Sequence, residues 1–176
     1  MVAAPTGEED IAAEVVAGTD AIAVPAELLE ESPAEVPSPT LLQRIQAMGV
    51  PEKIKLALRG NREARMQLIH DSNRLIRRFV LQNPRVGDEE VITIAKNRSA
   101  DDDLLRMIAD SRAWTKNYQV RLALVTNPKT PLVLALRFLS SLHERDVRVL
   151  AKSKNISSTV ATQAKRMVLR KGTQGG

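Results

Sequence analysis

The sequence predicts an all-α chain, a short right-handed solenoid of stacked helices behind a disordered acidic N-terminal tail. Three observations predict it. Asn83-Pro84-Arg85 and Asn127-Pro128-Lys129 recur 44 residues apart, and a period of roughly 40–47 residues made of short helices marks an α-solenoid. Apolar residues keep the same register: Ile76 with Val120 and Ala164, Phe79 with Ala123 and Met167, Val80 with Leu124 and Val168. Each set falls at i, i+3, i+4, which is one face of a helix. Charge divides the chain in two as well. Residues 1–40 hold nine of the 21 carboxylates and no Lys or Arg, whereas the remainder holds all 26 basic residues against 12 acidic ones. These are two physically different pieces of chain.

The tail, residues 1–39, is rich in Ala, Val, Glu and Pro. Pro25, Pro33, Pro37 and Pro39 interrupt any long helix. Ile11–Val16 and Ile22–Leu29 have helical spacing but no apolar partner of comparable size within the tail. Disorder is the expectation, with a docking peptide that folds on a partner as the other reading.

From residue 40 the pattern becomes short helices with sharp punctuation. Val50-Pro51-Glu52 starts one, since Pro is tolerated in the first turn and Glu favours the dipole there. Ile54, Ala57 and Leu58 form its stripe and Gly60 ends it. Asn61 is placed to cap the next helix, with Ala64, Leu68 and Ile69 inward. Asn73–Leu81 follows, with Ile76, Phe79 and Val80 inward, until Pro84 breaks the chain. The second unit repeats the plan. Asp88–Lys96 is a helix with Val91, Ile94 and Ala95 inward; Ser99 and Asp102 suggest a capping box before Leu104, Leu105 and Ile108. A third helix runs from about Lys116 to Val125. The third unit is expected to hold helices near 132–142, 144–152 and 158–169, the last capped by Ser157. The repeat domain therefore spans 40–171 in units of 40–83, 84–127 and 128–171, with a flexible end at 172–176. Each helix set buries its stripe by stacking on its neighbours.

Composition excludes several classes. There is no cysteine, which removes disulfides and thiolate-metal sites. No apolar run approaches the roughly 20 residues of a membrane span, and the N-terminus lacks a signal-peptide pattern. A cytoplasmic protein without membrane contact is the expectation. Trp114, Tyr118, Phe79 and Phe138 are the only aromatics besides the histidines, so the core must be aliphatic.

Asn127-Pro-Lys-Thr-Pro131, followed by an apolar helix, resembles the turn of the bacterial HEAT-like and leucine-rich-repeat-variant α-solenoids. The resemblance covers roughly residues 50–170. Residues 127–131 match the turn in full; Asn83-Pro84-Arg85-Val86 departs after Pro84, and Asn155-Ile156-Ser157-Ser158 lacks the proline. The resemblance implies a HEAT/ARM-like solenoid and a binding scaffold, and no particular activity.

Candidate chemistry begins with cations. At the 44-residue offset Arg77, Arg121 and Lys165 correspond, as do Arg85 and Lys129. In a solenoid such positions form rows that could track phosphates or an acidic protein segment. The plainer reading is solvated helix faces, or Arg bound to helix-end carbonyls. Trp114 and Tyr118 lie four apart and could form a stacking platform beside Arg121; alternatively they fill a gap between layers. Asp101, Asp102 and Asp103 fit a helix N-terminus better than a metal site. His70 and His143 belong to no nucleophile or metal motif and are expected at helix ends. Gly-rich phosphate loops are missing.

The leading expectation is thus a non-enzymatic scaffold, without cofactor or metal, that binds a protein partner. The second is a nucleic-acid-binding module using the basic rows, with the acidic tail as internal competitor. A HEAT-like DNA glycosylase is the third, opposed by the short chain and the scarcity of aromatics to line a base pocket.

Overall fold

A computed structural model of the chain describes residues 7–31 and 39–174. Among the described residues there are twelve α-helices, one 3-10 turn and no strand, so the chain is all-α. It divides into two compact units, Met1–Val86 and Gly87–Gly176.

The first unit holds α1 (Glu8–Ala17), the 3-10 turn Ala26–Leu28, α2 (Pro39–Ala47), α3 (Val50–Arg59), α4 (Arg62–Leu68) and α5 (Arg74–Gln82). Helix α3 lies against α1, α4 and α5. It buries Ile54, Leu56, Ala57 and Leu58 completely, which is more than one stripe and requires neighbours on more than one side. Gly60 ends α3 with an ordinary φ of −66°. It is glycine because of crowding: a Cβ there would stand 2.2 Å from the Leu56 carbonyl oxygen.

The expected loose tail is corrected here. Within residues 7–31 it is a strap packed into the core, with Val15 1% exposed, Leu28 1% and Ala12 5%. The reason is a partner that local propensity does not reveal. Gly18, at φ 72°, ends α1 in the left-handed conformation open to glycine. The cations of α3 then hold the strap: Lys55 Nζ reaches Asp20 at 2.7 Å and the Ile22 carbonyl at 2.7 Å, and Arg59 donates to the carbonyls of Val15 and Val16. Asn61 caps α4 as expected, its Oδ1 accepting from Ala64 N. It also donates to the carbonyls of Glu27 and Glu30, which fixes the 3-10 turn. Residues 1–6 and 32–38 of the expected tail, with Pro33 and Pro37, lie outside the described residues.

The Lys55 ammonium holds the Asp20 carboxyl below its ordinary value, helped by the Ile22 amide against the opposing effect of burial. A depressed folded-state pKa contributes stability above the unfolded-state value, here near 3.8, and loses it as pH falls below that value. Asp20→Asn is expected to be less stable than the parent at pH 7. The gap should narrow as pH falls below about 3.8, read by urea denaturation at pH 7 and pH 3.

The second unit holds α6 (Asp88–Lys96), α7 (Asp102–Asp110), α8 (Arg112–Thr115), α9 (Tyr118–Thr126), α10 (Leu132–Leu139), α11 (Glu144–Lys152) and α12 (Ser158–Gln174). Helix α9 packs on α6 and α10, and α12 packs on α10 and most extensively on α11. Ser99 is not the cap of α7: Asp101 takes the N-cap position and the helix starts at Asp102. The Ser99 amide is instead drawn to Asn97 Oδ1. Helix α10 stops at Leu139, short of the expected Leu142, where the Ser140 and Ser141 hydroxyls turn back onto the carbonyls of Arg137 and Phe138. The flexible end expected at 172–176 is helical through Gln174, and 175–176 lie outside the described residues.

The two Asn-Pro turns have one geometry. Asn83 donates to the carbonyls of Ala57 and Gly60 at the end of α3, and its Oδ1 accepts from Arg85 N. Asn127 donates to the carbonyls of Ala95 and Asn97 at the end of α6, and its Oδ1 accepts from Lys129 N. Both asparagines are buried. Each satisfies helix-end carbonyls that would otherwise be orphaned away from water. Hence the residue is Asn: it supplies two donors and an acceptor from one short side chain.

Candidate macromolecule-binding surface

The predicted binding residues separate into held and free groups. In the first unit, Asn73 caps α5 by accepting from Leu75 N. Arg77, one turn later, reaches back to the Asp71 carbonyl. In the second unit, Asn117 caps α9 by accepting from Gln119 N. Arg121, again one turn later, reaches back to the carbonyls of Thr115 at 2.7 Å and Lys116 at 3.1 Å. Both guanidiniums thus tie a helix to the chain before it. Arg85 is engaged as well, donating to the carbonyls of Leu29 and Arg59 and lying 3.6 Å from the Glu31 carboxylate.

Lys165 differs, and the sequence explains why. The position equivalent to Asn73 and Asn117 is Ala161, so nothing caps a helix there. Helix α12 instead begins at Ser158, and the turn that Arg77 and Arg121 reach is absent. Lys165 is exposed, as is Lys129, and among the described residues neither ammonium has an ion pair.

Trp114 and Tyr118 do not share a helix. Trp114 lies on α8, and the Asn117 cap opens a new helix at Tyr118. Tyr118 fastens α9 to the start of α11. Its hydroxyl donates to the Asp146 carboxylate and accepts from the His143 amide at 3.0 Å. Its ring stacks on the His143 imidazole at 4.1 Å, and the Arg121 guanidinium lies 5.5 Å from its centre. Burial, then the Asp146 carboxylate, pushes the phenol above its ordinary pKa. Trp114 is half-buried. The expected aromatic platform is therefore not formed by this pair.

The surface that remains is the outer stripe of α12. Val160, Ala161 and Ala164 are its buried side. Ser158, Thr159, Thr162, Lys165, Arg166, Leu169, Arg170 and Thr173 are all exposed, and their spacings of three, four and one residues place them on a common outer face. The last 30 residues, 147–176, contain seven Lys or Arg and no Asp or Glu. One carboxylate approaches from α11: Glu144, which pairs with Arg148 and lies 3.8 Å from Lys171. In the sequence Arg166 and Arg170 count only toward the basic total; helical periodicity from Ser158 is the signal that joins them to Lys165.

Asp101 holds the N-cap position of α7, with Asp102 and Asp103 in the first turn. Among the described residues no three His, Asp or Glu side chains converge as a metal ion would need, and no helix is long and apolar enough to cross a membrane. No family model, curated protein or solved structure matches the chain.

Proposed function

We propose that this chain is a non-enzymatic helical-repeat scaffold of the HEAT-like kind, and that it binds a macromolecular partner through exposed helix faces of its second unit. The observation that carries the reading is the outer stripe of α12, where exposed cations stand without carboxylates on their own helix. A repeat fold buries one face of each helix and leaves the other for recognition, whereas Arg77, Arg121 and Arg85 of the expected binding rows are engaged by main-chain carbonyls.

Two partner classes have support. A protein partner, the first expectation, is favoured by exposed apolar side chains in this unit: Val133 at 78%, Leu169 at 69% and Val149 at 64%. A nucleic acid is favoured by the charge of residues 147–176. The test is retention on the immobilised full-length chain at 50 and 500 mM salt, with and without nuclease treatment of the input. The reading expects a macromolecule retained at low salt and released at high salt. Retention of neither protein nor nucleic acid at 50 mM would remove it.

A further inference from the structure

We infer that the outer stripe of α12 binds the phosphate backbone of duplex nucleic acid without reading its sequence. The inference rests on the scaffold reading above and names its partner. Lys165, Arg166 and Arg170 are exposed, and among the described residues they make no ion pair. Five residues separate Lys165 from Arg170, about 7.5 Å along the helix axis. Duplex DNA carries one phosphate charge per roughly 3.4 Å of axis on each strand, so that length spans about two phosphates of one strand and about four of the two strands together. Of the exposed hydroxyls on the stripe, Thr162 and Thr173 donate to carbonyls of α12 itself, those of Ser158 and of Leu169 and Arg170, while Ser158 and Thr159 complete the polar face at its start. Cations and hydroxyls are the side chains that meet phosphate oxygens.

Two other accounts explain less. Cations near a helix C-terminus complement its dipole, but that effect fades beyond the last turn. Lys165 and Arg166 lie two turns before the end of α12 at Gln174. An acidic peptide would draw on buried apolar or aromatic anchors, and Leu169 is the single large apolar side chain on the stripe. No aromatic ring lies on it either. Single strands bind through such rings, so a duplex backbone is the better match.

The test is fluorescence anisotropy of the full-length chain with a labelled 20-base-pair duplex of arbitrary sequence, over 50–300 mM salt. Parallel arms use a single strand of equal length and a polyglutamate peptide. The variant Lys165→Gln, Arg166→Gln, Arg170→Gln is compared with a charge-matched control, Arg78→Gln, Arg112→Gln, Lys116→Gln. Circular dichroism checks each fold, and the three single α12 variants stand in if the triple one does not fold. The parent should bind the duplex with affinity falling steeply with salt. The triple variant should bind at least about tenfold more weakly at 50 mM. Its slope of log K against log salt should be shallower by about 3, since each phosphate no longer neutralised removes about 0.9. The control should keep most of the affinity. No duplex binding at 50 mM would overturn the inference, as would equal losses in variant and control. Tighter binding of polyglutamate at the same stripe would also overturn it while leaving the scaffold reading intact.

Discussion

Phe79→Ala is expected to destabilise the first unit by about 3–5 kcal/mol, and Leu124→Ala the second by about 2–5 kcal/mol. Phe79 is 2% exposed and Leu124 fully buried. Each sits on the repeated helix face, on α5 and α9 respectively. Truncation removes the transfer free energy of the side chain and leaves a cavity that close-packed neighbours fill only in part. Met167 occupies the position in α12 that Phe79 occupies in α5, but it is only half-buried. Met167→Ala should therefore lose clearly less, although the sequence register treats the three as equals. Urea denaturation of the three variants measures the order. Equal losses, or none at Phe79, would show that the register is wrong.

How legible the fold is depends on where the determinants of each helix lie. Helices α6 and α11 are legible to the residue. Each begins with carboxylates, ends with Lys and carries its apolar period without interruption. Helix α7 is ambiguous at its start because Ser99, Asp101 and Asp102 all suit an N-cap, and only the tertiary course of the chain chooses among them. The strap is hidden for a stronger form of the same reason. Its apolar anchors are few and small, prolines divide it, and no partner for it exists within the first 40 residues. The partner is α3, whose Lys55 pairs with Asp20 and whose Arg59 donates to the carbonyls at the end of α1. A tail of nine carboxylates and no cation, followed by the Lys and Arg of residues 50–59, is the available signal in the sequence.

The candidate surface follows the same logic. Periodicity correctly equates Arg77 with Arg121, since both reach back to the chain before their helix. What it does not show is that the shared role is internal. That role depends on the Asn cap one turn earlier, present at 73 and 117 and replaced by Ala161 in the third unit. Loss of the cap lets α12 start early and leaves Lys165 with no carbonyls to serve. The same cap at Asn117 separates Trp114 from Tyr118, which simple i, i+4 spacing joins.

Removing residues 1–31 should destabilise the first unit severely, where a loose tail would leave it unchanged. Val15 and Leu28 are each 1% exposed, and burying two such side chains contributes about 3–6 kcal/mol. Truncation also uncovers the apolar side chains of α3 that α1 packs against. It strips Arg65, a guanidinium 2% exposed, of its 2.7 Å partner Glu31. Against a total stability of about 5–15 kcal/mol for a typical domain, losses of this size leave little margin. Amides of α3, α4 and α5 should exchange with solvent far faster in the truncated chain, and its thermal midpoint should fall. Val15→Asp, which keeps the chain length and the acidic character of the segment, should reproduce much of the effect by placing a charge where the core is dry. Exchange rates and a midpoint equal to those of the parent in both variants would mean that the strap rests on the first unit without supporting it.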